Sequence, residues 1–277
     1  MFSIIIPSFN NLEYLKLCVS SLEKNSFLKH ELIFHINDGS DGSLDFIKSK
    51  KYKFTHSAKN IGLCSAVNQA SKQASTDYIL YSHDDMYFLP SWDQVLKKEI
   101  NLLNDNLFYL SGVMINEGHI EFNCGKNFKD FDEDKLLTNY KNLNFYDFQG
   151  SHFAPHVIHK ELWNKIGGFS EEFNPGDASD PDLAMKLWKS GVRIFKGIND
   201  FKVYHFGSVT TRKRENVFKN NGTRIFLKKW GITPRFFRKH YLRGFSKFDG
   251  FLPEPKKNIF YFFDLLVCKI KLFFKLK

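Results

Sequence analysis

The chain has few cysteines: Cys18, Cys64, Cys124 and Cys268 are widely spaced and form no CxxC pair. That excludes a disulfide framework and a zinc ribbon, and it points to a reducing cytosol. No uninterrupted apolar run reaches the ~18 residues that a conventional transmembrane helix requires. The N-terminus MFSIIIPSFNN carries no basic leader and only a short apolar stretch before Pro7, so it reads as a first strand and not as a signal peptide. The sequence has no Walker-type phosphate loop, no GxGxxG and no internal repeat.

What is present is an ordinary globular balance, 43% hydrophobic and 25% charged over 277 residues, enough for one large α/β domain or two small ones. Aromatic residues are abundant at 17%, including 31 Phe, which suggests that some apolar surface meets a membrane or a partner. The net charge of +10 favours an anionic partner: nucleic acid, anionic lipid or a phosphorylated small molecule.

Over the first ~115 residues short apolar runs alternate with helical patterns, as in a βαβ sheet with helices on both faces. SIIIP, ELIFHI, KYKFTH and TDYILYS read as strands one to four. Helices are expected from Asn11 to Lys24, from an Asn60 cap to Ser75, and from Ser91 through SWDQVLKKEI. LFYLSGVMI reads as a further strand, and residues 116–146 as an insertion or long loop over the site. FQGSHFAPHVIHKELWNKIGGF reads as a strand and a short helix closed by Gly167 and Gly168, SDPDLAMKLWKSG as a capped helix, and VRIF and FKVYHF as two late strands. The last residues, IFYFFDLLVCKIKLFFKLK, mix a dense apolar face with Lys269, Lys271, Lys275 and Lys277. They read either as a helix docked on the core or as an amphipathic helix lying on an anionic membrane surface.

Ligands of open α/β sheets sit beyond the carboxyl ends of the strands. There the chain places Pro7 to Asn10, Asn37 to Ser43, and the adjacent acids Asp84 and Asp85 beside His83. An acidic pair at a strand end admits three readings: a turn with solvated carboxylates, a dyad sharing a proton, or ligands for Mg²⁺ or Mn²⁺ holding a phosphate. Asp38 before Gly39 fits an Asx turn. Asp180 before Pro181 fits a helix N-cap. His152, His156 and His159 form an H-x3-H-x2-H spacing that on a strand does not share one face, so they read as bordering a pocket and not as a zinc site.

Six segments in order, SIIIPSFNNLEYLKLCVSSL, INDGSDGSLDFI, KNIGLCSAVNQA, YILYSHDDM, IGGFSEEF and DPDLAMKLWKSG, resemble the family 2 nucleotide-sugar glycosyltransferases of GT-A fold. The resemblance covers roughly residues 2 to 210, and KKWG at 228 to 231 matches a familiar ending of the family. It implies a Rossmann-like, mixed and mainly parallel sheet flanked by helices, occupying residues 1–230, with a basic aromatic helical extension over 231–277. It implies an inverting transfer of a sugar from a nucleoside diphosphate to a glycan or lipid-linked acceptor, assisted by Mn²⁺ or Mg²⁺.

By the same resemblance, Asp85 is the principal metal ligand, with Asp84 helping and also lying near the nucleotide-sugar. His83 stands where the family has an aspartate and is a further candidate ligand, as is His205. Pro7, Asn10, Asp38, Lys59 and Asn60 are expected around the nucleotide. Asp180 is expected to be the general base, with Asp182 the second choice and Asp177 a further substitute, and Arg212, Lys213 and Arg214 are placed to neutralise the diphosphate. The expected location is cytoplasmic, peripheral on the cytoplasmic face of the membrane if 259–277 binds lipid, and no nucleic-acid partner is expected. A nucleotidyltransferase of sugar phosphates, and a non-catalytic membrane- or anion-binding protein, are the rival readings. PSFNNLEY lacks the glycine-rich loop of the first, and the second leaves Asp38, Asp85 and Asp180 without a joint purpose.

Overall fold

The computed structural model describes residues 1–125, 127–207 and 221–276. Its centre is a nine-stranded sheet. Strands β1 (Phe2–Phe9), β2 (Glu31–Asn37), β3 (Lys53–Ser57) and β4 (Tyr78–Tyr81) lie parallel in the order β3-β2-β1-β4. Their cores are nearly continuous apolar runs, as strands covered on both faces require, and Ile4, Ile5, Ile6, Ile33, Phe34 and Leu80 are fully buried. Beyond β4 the order continues β8 (His156–His159), β6 (Phe108–Asn116), β9 (Ile194–His205), β5 (Met86–Phe88). β8 is antiparallel to both β4 and β6, β9 is parallel to β6, and β5 and the short β7 (Phe148–Gln149) pair antiparallel with β9. The sheet is therefore mixed and mainly parallel, and the carboxyl ends of β1, β2, β4, β6 and β9 share one edge.

The helices are α1 (Leu12–Asn25), α2 (Ser43–Ser49), α3 (Leu63–Ser71), α4 (Trp92–Leu103), α5 (Glu133–Asn139), α6 (Lys160–Ile166) and α7 (Ser179–Lys189). Several differ from the sequence-based expectation for clear physical reasons. α3 starts at Leu63 and ends at Ser71; Asn60 does not cap it but accepts from Gly62 N–H in a turn at 2.9 Å. The first-turn amides of Cys64 and Ser65 are instead capped by Asn174 Oδ1, which stands 110 residues from Cys64 in the chain. Gly62 permits this approach, because a Cβ there would lie 2.4 Å from Asn174 Oδ1.

α4 begins after Ser91, whose left-handed backbone makes no side-chain cap. VRIF and FKVYHF belong to one strand, β9, whose register against β6 jumps between Gly112 and Val113 so that residues 199–201 bulge. FQ and HVIH are separate strands, divided by a loop through Pro155.

Residues 116–146 carry α5 and build a small core of their own. Cys124, Leu136, Phe128 and Phe131 pack there with Tyr14, Tyr87, Tyr204 and Phe206. Past residue 220 come the helices Gly222–Trp230, Pro234–Phe237 and Ile259–Leu276, and Ile232, Phe236, Phe237, Leu242 and Leu252 join the main core. Among the described residues no helix is long and apolar enough to cross a membrane.

Candidate functional site at the carboxyl edge of the sheet

The segment Ser82–Asp85 turns the chain from β4 into β5, and β5 then pairs with the end of β9 through Met86 and His205. This pairing, sealed by Phe206 N–H donating to Asp85 C=O at 3.1 Å, brings residues separated by 120 positions into one cluster. Among the described residues, His83, Asp85 and His205 form a group able to hold a metal ion, their ligand atoms lying within 4.8 Å of one another. Asp85 Oδ1 stands 3.5 Å from His205 Nε2 and 3.9 Å from His83 Nδ1, longer than good hydrogen bonds.

His205 Nδ1 lies 3.0 Å from the carbonyl of Glu117, to which it donates as Nδ1–H; this leaves Nε2 with its lone pair. Nε2 is buried and has no hydrogen-bond partner, an arrangement that costs free energy unless a ligand completes it. Burial pushes His83 down to about 4, so the imidazole is neutral at pH 7, the form that binds a cation. Burial lowers His205, but Asp85 and Glu117 together more than offset it, so its pKa is raised. These residues fit a divalent ion.

Asp84 has a different place. Its buried carboxylate accepts from Ser8 Oγ at 2.6 Å and from Asn11 Nδ2 at 3.1 Å. It lies outside the His83–Asp85–His205 group and ties the end of β1 to the end of β4. Burial and the neighbouring Asp85 hold its carboxyl above the ordinary carboxylate range.

The ends of β1 and β2 are clasped together. Asn10, at φ 46°, donates to Asp38 Oδ2 at 2.9 Å and accepts from Gly39 N–H at 2.8 Å. Asp38, at φ 61°, also accepts from Ser40 N–H at 3.2 Å, so the Asx turn is present and the carboxylate is held at the crevice rim. A left-handed backbone is tolerated by Asn and Asp better than by other residues, which explains their choice here. Pro7 lies within β1, and Lys59 and Asn60 are exposed just past β3.

Asp180 lies in the first turn of α7, not at its cap, which falls at Ala178. Burial alone pushes its carboxyl up to about 7. Burial first, and the charge of Asp180 second, raise the pKa values of Tyr81 and Tyr109. Tyr81 ends β4 and its ring contacts those of His83 and His156.

Asp182, the second choice for the base, is fully buried and engaged: it accepts from Ser170 Oγ at 2.6 Å, Trp230 Nε1 at 2.8 Å and Lys229 Nζ at 3.0 Å. It fastens α7 to the KKWG helix. Asp177 Oδ2 accepts from Gly222 N–H at 2.8 Å. His156 is buried in β8 against Tyr109 OH, while His152 folds back on Gly150 C=O, so the three spaced histidines form no common ligand set. Arg212, Lys213 and Arg214 lie outside the described residues. Ser8, Asn11 and Asn174, which position the crevice, had no signal in the sequence beyond their polar type.

A mixed α/β sheet with a strand-edge acidic turn and a histidine returning from the last long strand defines the GT-A class of fold. The model for Glycosyl transferase family 2 matches residues 3–160, and the chain belongs to that family. It is 30% identical over 273 residues to a hyaluronan synthase of Pasteurella multocida, covering 93% of this chain and 25% of that protein. It is 29% identical over 231 residues to a chondroitin synthase of Pasteurella multocida (strain Pm70), covering 79% of this chain and 22% of that protein. The chain thus spans a quarter or less of the length of these relatives. Among solved structures it resembles S. aureus TarS 1-349, with a TM-score of 0.57 at 17% identity over 74% of this chain and 60% of that one. The same protein in complex with UDP-GlcNAc gives a TM-score of 0.54 at 17% identity, over 75% and 61%. At this identity the likeness is one of fold.

Proposed function

We propose that the chain transfers a sugar, with inversion, from a nucleoside-diphosphate-sugar to a hydroxyl of a glycan or lipid-linked acceptor. The observation that carries this reading is the unpartnered, buried His205 Nε2 beside Asp85 and His83, at the strand edge where such folds bind ligands. A divalent cation held by these three residues would neutralise charge building on the diphosphate as it leaves. Two imidazoles and one carboxylate favour Mn²⁺ over Mg²⁺, which prefers oxygen ligands.

Asp38, fixed by Asn10, is oriented to accept from the N3–H of uracil, with Pro7 lining the base and Lys59 and Asn60 flanking the nucleotide. Asp84 stiffens the floor between β1 and β4. Asp180 takes the proton from the acceptor hydroxyl, whose oxygen attacks the anomeric carbon as the bond to the diphosphate breaks and its electron pair departs with the leaving group. A carboxyl held near 7 matches this work, since a base near the operating pH is both available and strong enough. One base and one direct displacement invert the anomeric centre.

In this reading residues 1–230 perform the reaction, 116–146 wall the crevice, and 231–277 bring the enzyme to an anionic membrane surface on the cytoplasmic side. The names of the two Pasteurella relatives, a hyaluronan and a chondroitin synthase, support a glycan product. The test is incubation of the purified protein with UDP-, dTDP- and GDP-sugars and Mn²⁺. Release of nucleoside diphosphate from at least one is expected, and release or binding of none refutes the proposal.

A further inference from the structure

The C-terminal helix Ile259–Leu276 has two apolar faces. Tyr261, Leu265, Cys268 and Leu272, spaced by four, three and four residues, pack on the main core. On the opposite side Phe262, Phe263, Leu266, Ile270, Phe273 and Phe274 are exposed, Phe274 by 71%. At 100° per residue Lys269 and Lys271 fall on the two borders of that exposed sector. Asp264 is the sole acid between 259 and 276 and is already taken: Lys239 Nζ donates to it at 2.6 Å, and it lies 2.7 Å from His240 Nε2.

Beside this helix a cleft of about 180 Å³ opens between it and the short helix Pro234–Phe237. Arg235, Lys239 and Lys271 line it with Thr233, Val267 and Asp264, leaving an excess of positive charge at the margin of the apolar face. Two copies packed through these faces would bring like-charged borders together, whereas anionic lipid neutralises them.

We infer that the cleft between Arg235, Lys239 and Lys271 binds the phosphate of an anionic lipid headgroup while the exposed phenylalanines enter the acyl boundary. The inference rests on the membrane-surface reading above and deepens it. The clamp on Asp264 fixes the helix on the domain, so headgroup binding also sets how the crevice faces the membrane.

The test is sedimentation of the full chain with vesicles of phosphatidylcholine, alone or mixed with phosphatidylglycerol. Two double variants are compared: Arg235→Ala/Lys271→Ala in the cleft, and Lys256→Ala/Lys257→Ala, exposed just before the helix and outside the cleft. Diffuse attraction contributes about fivefold in affinity per basic residue near the surface and weakens both pairs alike. The cleft pair is expected to lose at least about tenfold more affinity for the anionic vesicles than the control pair, with thermal melts unchanged. Losses within about twofold of each other overturn the headgroup cleft and leave the membrane reading standing. Failure of the unmodified chain to bind either vesicle overturns the membrane reading itself, as does full binding by Phe263→Ser/Phe274→Ser.

Discussion

Replacing Asp180 by Asn removes the proposed base while keeping the shape of its side chain. The carboxyl is held at about 7 by burial, so it is about a tenth ionised at pH 6 and about nine-tenths ionised at pH 8. Turnover of the unmodified enzyme should therefore rise about tenfold between those pH values, with the inflection near 7. A positioned base contributes roughly 10²–10⁴-fold, and Asp180→Asn should lose that factor in kcat along with the inflection, while donor affinity changes little. The stability effect has the opposite sign. The folded-state value lies above the unfolded one, so ionisation of Asp180 costs stability as pH rises from about 4 to about 7. Asp180→Asn should melt higher than the unmodified chain at pH 8 and equally at pH 3.5, where both are neutral. The assay is release of nucleoside diphosphate across pH, paired with thermal melts. A variant that keeps more than about a tenth of the turnover, or an unmodified rate that is flat between pH 6 and 8, refutes Asp180 as the base.

Asp182→Asn weakens the buried acceptor shared by Ser170, Trp230 and Lys229, while Lys229 keeps its pair with Glu172, and about 1–3 kcal/mol of unfolding free energy should be lost in urea titrations. Turnover per folded molecule should fall far less than in Asp180→Asn; an equal loss would return Asp182 to the chemistry. Asn174→Ala uncaps Cys64 and Ser65 at the start of α3 and should cost about 1–2 kcal/mol, seen as a lower midpoint of thermal unfolding. An unchanged midpoint would mean that water replaces this cap. His205→Ala should raise the Mn²⁺ concentration for half-maximal activity by more than about tenfold without lowering the melting temperature of the metal-free protein, and no change in metal demand would remove His205 from the ligand set.

The parallel half of the sheet was legible because β1, β2 and β4 are short apolar runs set off by turn residues, a signal contained in each segment. β5 was not, since Met86–Phe88 is a strand only through its pairing with β9, and such pairing leaves no local pattern. β9 read as two strands because the sequence around Gly197 and Asn199 looks like a turn, whereas the sheet absorbs it as a bulge. The same divide runs through the site. Asp85 and His205, which the structure brings together, each lie in a segment whose motif survives in sequence. The capture of Asp84 by Ser8 and Asn11, and the cap supplied by Asn174, depend on contacts across 76, 73 and 110 residues that a linear reading does not contain. The sequence of the tail fits docking and membrane contact equally; one stripe of it docks, and the opposite stripe is exposed.

The claim that His83, Asp85 and His205 form a metal-assisted diphosphate site is tested most directly by calorimetric titration of UDP into the protein with and without Mn²⁺, repeated on Asp85→Asn. UDP binding that requires Mn²⁺ in the unmodified chain and is lost in the variant is the predicted result. Binding of UDP that is equally tight without the ion, or that Asp85→Asn leaves intact, would contradict the account.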